Sequence, residues 1–98
     1  MTIYQHRTSM TTSSGSTSST SLRIRGGLCR QLLIVANTAT TVFRVNIVDG
    51  NSYTIENYGF STGELNEKTA IPMAGTYTIN ITNASPDDTF KILLGVEE

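Results

Sequence analysis

"TVFRVNIVDGNSYTIENYGF", residues 41–60, governs how the rest of the chain is read. Phe43, Val45 and Ile47 alternate with Arg44 and Asn46, the period-2 pattern of a strand with one buried face. Asp49-Gly50-Asn51 interrupts the pattern, and Tyr53 and Ile55 resume it, which places Tyr53 inward. Asp-Gly between two alternating runs predicts a hairpin, because Gly50 adopts a positive φ without a Cβ clash.

Working outward, the same period recurs. In "AIPMAGTYTINIT" (70–82), Tyr77, Ile79 and Ile81 fall on one face and Thr76, Thr78, Asn80 and Thr82 on the other. In "TFKILLGV" (89–96), Phe90, Ile92, Leu94 and Val96 share a face. "SLRIR" (21–25) alternates until Gly26-Gly27 breaks it, and "LLIVA" (32–36) is a continuous apolar run. Such a run is expected of a strand covered on both faces. "STGELNEKT" (61–69) reads as a polar loop and "NASPDD" (83–88) as a turn. No helical periodicity occurs. The prediction is all-β, an antiparallel β-sandwich of jelly-roll or immunoglobulin-like type. Its core is Phe43, Val45, Ile47, Ile55, Tyr77, Ile79, Ile81, Phe90, Ile92 and Leu94. Pro72 and Gly75 ahead of Tyr77 predict a tyrosine corner, its phenol bonded to a backbone group.

The start of the chain is different. From Thr8 to Ser21 every residue but Met10 and Gly15 is Ser or Thr, with too little apolar surface to offset the entropy of ordering. The expected division is an extended N-terminal arm, 1–21, and a sandwich domain, 22–98, that stays folded when the arm is deleted. Residues 1–30 hold Arg7, Arg23, Arg25 and Arg30 and no acid; the remainder sets Arg44, Lys68 and Lys91 against eight carboxylates. A basic arm on an acidic body can bind another copy of that body. Without lysine runs or interleaved aromatics it does not predict nucleic-acid binding. Arg7, Arg23 and Arg25 are the expected partner-binding residues of the arm, and Tyr58 and Phe60 the candidate surface aromatics.

Chemistry is sparse. Cys29 and His6 are the only cysteine and histidine, so an internal disulfide is excluded, and neither a zinc site nor a cofactor is expected. Asp49 and Asp87-Asp88 read as turn residues, the other carboxylates as solvated surface. No acid–base pair or activated nucleophile is evident, and no enzyme is predicted. No apolar run reaches 18 residues and "MTIYQHRTSM" lacks the apolar core of a secretory signal, so neither membrane insertion nor export is predicted and synthesis is expected in a cytoplasm.

The segments "VANTATTVFRVNIVDGNSYTIENYGF" and "AIPMAGTYTINITNASPDDTFKILLGV", preceded by the Ser/Thr-rich arm, resemble small virion proteins of tailed bacteriophages, among them capsid decoration (cement) proteins. The resemblance is one of type. It implies a homo-oligomeric, non-enzymatic virion component in which the arm reaches neighbouring subunits or the major capsid protein. A tail, neck or fibre component, or a carbohydrate-binding or adhesin module, shares the same architecture.

Overall fold

The computed structural model describes residues 2–12, 18–82 and 88–98. They form seven strands: β1 (Ile3–Thr11), β2 (Ser18–Ala36), β3 (Val42–Val48), β4 (Thr54–Asn57), β5 (Ser61–Thr62), β6 (Glu64–Thr82) and β7 (Thr89–Glu97). Every pairing is antiparallel, in the order β1-β7-β2-β6-β3-β4, with β5 against β3. The fold is all-β and sandwich-like. Among the described residues there is no helix, hence none long and apolar enough to cross a membrane.

The two layers belong to one sheet, because β2 and β6 are each 19 residues long and run through both. Residues 28–36 of β2 lie between β7 and the first half of β6, with β1 beyond β7, and this is the first layer. Residues 18–24 of β2 pair with the second half of β6, which carries β3 and β4, and this is the second. Between the halves β2 slips register twice, at Ile24/Gly27 and Cys29/Gln31. Such bulges turn a strand from one layer into the other. Gly26-Gly27 thus bends the strand rather than ending it. Gly26 sits at φ 153°, and a Cβ on Gly27 would lie 2.4 Å from the Glu97 carbonyl oxygen.

Each slip moves the inward set by one position, so Ile24, Cys29, Leu32, Ile34 and Ala36 all reach the core. They meet Phe43, Val45 and Ile47 of β3, Tyr77, Ile79 and Ile81 of β6, and Phe90, Ile92, Leu94 and Val96 of β7. Phe43 and Phe90 join the layers edge to face, with centroids 5.0 Å apart. The Tyr77 phenol donates to the Ala74 carbonyl at 3.2 Å and accepts from the Ala74 N–H at 2.8 Å, so the tyrosine corner closes locally.

Several expectations are corrected. The arm is not separate from the body: β1 pairs with β7 from Ile3↔Glu97 to Thr11↔Thr89, and the boundary between 21 and 22 falls inside β2. Thr12 is buried; its hydroxyl and N–H both donate to the Asp88 carbonyl oxygen, at 3.2 and 2.9 Å. Asp88, read as a solvated turn residue, is itself buried, its carboxylate accepting from the Thr41 hydroxyl. The backbone of a Ser/Thr strand pairs as well as any other, and here β7 supplies an edge within the same chain. The core of the arm, 13–17, and most of the predicted turn, 83–87, lie outside the described residues.

The predicted loop 61–69 is β5 and the first part of β6, where Leu65 is the one inward apolar residue, too little to reveal a period. Tyr53 is 70% exposed and Ile55 only half-buried, because the register of β3 with β4 slips at Ile47/Val48. The hairpin turn is held by Asp49, whose carboxylate accepts from the N–H groups of Asn51 and Tyr53 at 2.9 Å. Its positive φ is at Ser52, 67°, rather than at Gly50.

Candidate interaction surface

Each layer has an outward face, and the pairing register states what lies on it. Across the first layer, Arg7, Leu93, Leu33 and Asn66 form one row. Ser9, Lys91, Val35 and Glu64 form the row on one side of it; Gln5, Gly95, Gln31 and Lys68 form the row on the other. Ile3 stands at the end of β1 and is 56% exposed. Leu33, Val35 and Leu93 are half-buried side chains at positions where an alternating strand with a wet face carries polar residues.

This face is concave. A hollow of about 670 Å³ runs from Ile3 and Gln5 over Gly95 to Asn66 and Lys68, and Gly95 contributes no side chain to its floor. A second hollow of about 320 Å³ continues over Leu33, Val35 and Leu93 to Arg7 and Lys91. Arg7 donates to the Gln5 side-chain oxygen, Gln31 donates to Asn66 at 3.3 Å, and Arg30 is paired with Glu97 at 2.7 Å. The face therefore has an apolar floor and a rim of four cations, Arg7, Arg30, Lys68 and Lys91, against the two carboxylates Glu64 and Glu97.

Over the second layer the outward residues are Ser19, Ser21, Thr78, Asn80, Thr82 and Asn46, with the half-buried Val48 opposite Thr78, Arg23 and Thr76 at one end and Arg44 at the other. They bond to one another: Ser19 to Asn80, and Asn80 to Asn46 at 2.8 Å. Hydroxyls and amides that satisfy each other across three strands describe a solvated face.

The three arginines expected to act together are dispersed. Arg7 belongs to the first-layer rim, and Arg23 stands opposite Thr76 on the second layer. Arg25 borders a separate hollow with Tyr4, His6, Gly26 and Glu98. The aromatic pair separates too. Phe60 is 64% exposed, with the Arg44 guanidinium 5.2 Å from its ring centre. Tyr58 packs against the core with its hydroxyl covered and without a hydrogen-bond partner among the described residues. Burial, then the charges of Glu56 and Glu67, push its phenol up to about 12.

The two side chains with reactive potential have separate partners. The Cys29 thiol is fully buried and donates to the Gln31 carbonyl at 3.5 Å; burial raises its pKa, which disfavours the thiolate. His6, on the inward side of β1, lies 3.5 Å from the Glu98 carboxylate. Among the described residues no three His, Cys, Asp or Glu side chains are grouped to hold a metal ion.

Neither Leu33, Val35 and Leu93 nor the basic rim was singled out from sequence. The signal was present in the unbroken "LLIVA" and "ILL" runs, whose outward members implied a second covering layer that the described residues do not supply.

No family model matches the chain, and no curated protein does. Among solved structures it is similar to that of Aeromonas hydrophila PliG, a periplasmic inhibitor of g-type lysozyme. The identity is 15%, over 95% of this chain and 85% of that one, with a TM-score of 0.49.

Proposed function

We propose that the protein is a non-enzymatic structural component of a virion, of the capsid decoration (cement) class, and that it attaches through the outward face of its first layer. The observation that carries this reading is the half-buried apolar cluster of Leu33, Val35 and Leu93 beneath Arg7 and Lys91, where the other outward face, Val48 and its flanking arginines apart, is hydroxyl and amide. Contiguous exposed apolar surface rimmed by polar groups marks a site of association. The resemblance to small phage proteins supplies the setting. The arm works as part of this face: β1 contributes Ile3, Gln5 and Arg7 to the rim, rather than reaching away as a free tether. Many copies on one particle make modest individual contacts sufficient, since each bound contact raises the effective concentration of the next.

The test is occupancy. Particles purified by density gradient should carry the chain in stoichiometric copies. Leu93→Ser with Arg7→Ser should strip it from them while leaving its melting temperature within a few degrees of the parent. Undiminished occupancy of that variant would overturn the reading.

A further inference from the structure

We infer that the open edge of β1 pairs antiparallel with the same edge of a second copy of this chain, so that two first layers join into one sheet across a twofold axis. The inference goes beyond attachment through the groove and uses a different surface.

The backbone shows which groups are available. At the two ends of the β1 ladder the Thr12 N–H donates to the Asp88 carbonyl at 2.9 Å, and the Glu98 N–H donates to the Thr2 carbonyl at 3.1 Å. Both bonds use an even-numbered residue of the first segment, and the alternation of an antiparallel ladder carries that parity along the whole of β1. Tyr4, His6, Thr8 and Met10 therefore point their N–H and C=O groups at β7. Ile3, Gln5, Arg7, Ser9 and Thr11 point theirs the other way. All five are exposed, and among the described residues no strand pairs with β1 on that side.

The other edges are defended. β4 is four residues long and sits beside the slip at Ile47/Val48, and β5 is two residues long. The 18–24 half of β2 carries Arg23 and runs into the slip at Ile24/Gly27. By contrast β1 is nine residues in unbroken register, without proline or glycine, and Arg7 is its only lysine, arginine or carboxylate. A long regular edge lacking those devices is a template for another strand.

The sequence of β1 fits it to itself. Outward-pointing backbone groups must meet outward-pointing ones, so odd-numbered residues face odd-numbered residues. Setting Arg7 opposite Arg7 would oppose like charges. One step along, Gln5 faces Arg7 of the second copy and Ile3 faces Ser9, each pair occurring twice. That register gives the guanidinium the same amide oxygen that it binds within its own strand, and it exchanges about eight backbone hydrogen bonds. The step the other way offers Arg7 only the Ser9 hydroxyl. In the favoured register His6 faces His6 on the axis, each 3.5 Å from its own Glu98, and Tyr4 faces Thr8. The contact is isologous and closes at two copies. Because the axis runs perpendicular to the joined sheet, both grooves open on the same side and meet along β1.

The experiment uses the full chain in sedimentation velocity over a concentration series, with thermal melts to confirm folding. The parent should form dimers and nothing larger. Ser9→Pro removes an N–H that points to the open edge and leaves the β7 ladder its donors, so it should weaken dimerisation at least about tenfold. Cross-linking tests the register without relying on that variant. His6→Cys places two thiols opposite each other in a non-hydrogen-bonded pair, at about the 4.5 Å Cα separation that a disulfide accepts. Mild oxidation should yield a covalent dimer from His6→Cys far faster than from Thr8→Cys, which faces Tyr4; Cys29 is buried in both. A parent that stays monomeric to about 1 mM would overturn the inference. So would a folded Ser9→Pro chain that dimerises like the parent, or Thr8→Cys cross-linking as fast as His6→Cys. The groove reading fails separately. If the parent is monomeric while Leu93→Ser with Arg7→Ser still empties the particle, edge pairing is wrong and attachment through the groove stands.

Discussion

The two outward faces of this sheet share the long strands β2 and β6 and differ in what they present. Over the second layer, Ser19, Asn80 and Asn46 bond to one another and leave little for a partner to satisfy. Over the first, Leu33, Val35 and Leu93 line a hollow with Arg7 and Lys91, and Lys68 and Arg30 line the hollow beside it. The contrast lies in the outward residues of each half of β2 and β6 and of the strands beside them, β7 and β1 on one side and β3 on the other. One face is largely self-satisfied, and the other sets half-buried apolar groups among cations.

The comparison can be broken most severely by removing its edge. Deleting residues 2–12 strips the nine-residue β1 ladder from β7 and removes Arg7, Gln5 and Ile3 from the groove. Each ladder hydrogen bond contributes about 1 kcal/mol net, so the loss is on the order of 5 kcal/mol. Chemical denaturation should show it as a collapse of the cooperative transition; a truncated chain as stable as the parent would restore the free-arm picture.

Neighbours on β7 sharpen the contrast next. Leu94 is fully buried, and Leu94→Ala should cost about 2–5 kcal/mol through lost burial and the cavity left, as should Ile79→Ala on β6. Leu93→Ala, one residue away on the groove side, should cost below about 1.5 kcal/mol in the dilute chain and yet weaken association. Equal melting shifts for Leu93 and Leu94 would mean that the two faces of β7 are assigned wrongly.

On the wet face, Asn80→Ala breaks the bridge between Ser19 and Asn46. It should cost about 1 kcal/mol or less and leave association unchanged. The smallest effect is spectroscopic. The Tyr58 phenol, raised to about 12 by burial and by Glu56 and Glu67, has its folded pKa above its unfolded one. Its contribution to stability is therefore fully present below about pH 10 and is lost as the pH rises toward 12. Ultraviolet titration of Glu56→Gln should move that midpoint down; an unmoved midpoint would mean that the Glu56 charge does not act on the phenol.

Much of the fold was legible because burial leaves a period. Phe43, Val45 and Ile47 of β3, and Phe90, Ile92 and Leu94 of β7, alternate in the chain as they do in space. The long bent strands were not legible, since the slips at Ile24/Gly27 and Cys29/Gln31 shift the inward positions and make β2 look broken. β1 was hidden for another reason. Its pairing is carried by backbone groups, and Ser and Thr give no sign of which edge those groups will find. The groove was half legible: "LLIVA" announced apolar groups on both faces, but only the paired structure tells which face lacks a covering layer.

The claim that the two faces divide the work is tested most directly by labelling. Cys29 is fully buried, so a cysteine placed elsewhere can be followed against a low background. Gln5→Cys sits in the groove and Thr76→Cys on the wet face, and both positions are exposed in the single chain. Maleimide reaction of each should be timed in the dilute chain and again on assembled particles. The groove thiol should slow by at least about tenfold on assembly, the rate following the fraction of time the site is open, while the wet-face thiol keeps its rate. Equal rates at Gln5→Cys in both states, or protection confined to Thr76→Cys, would contradict the account.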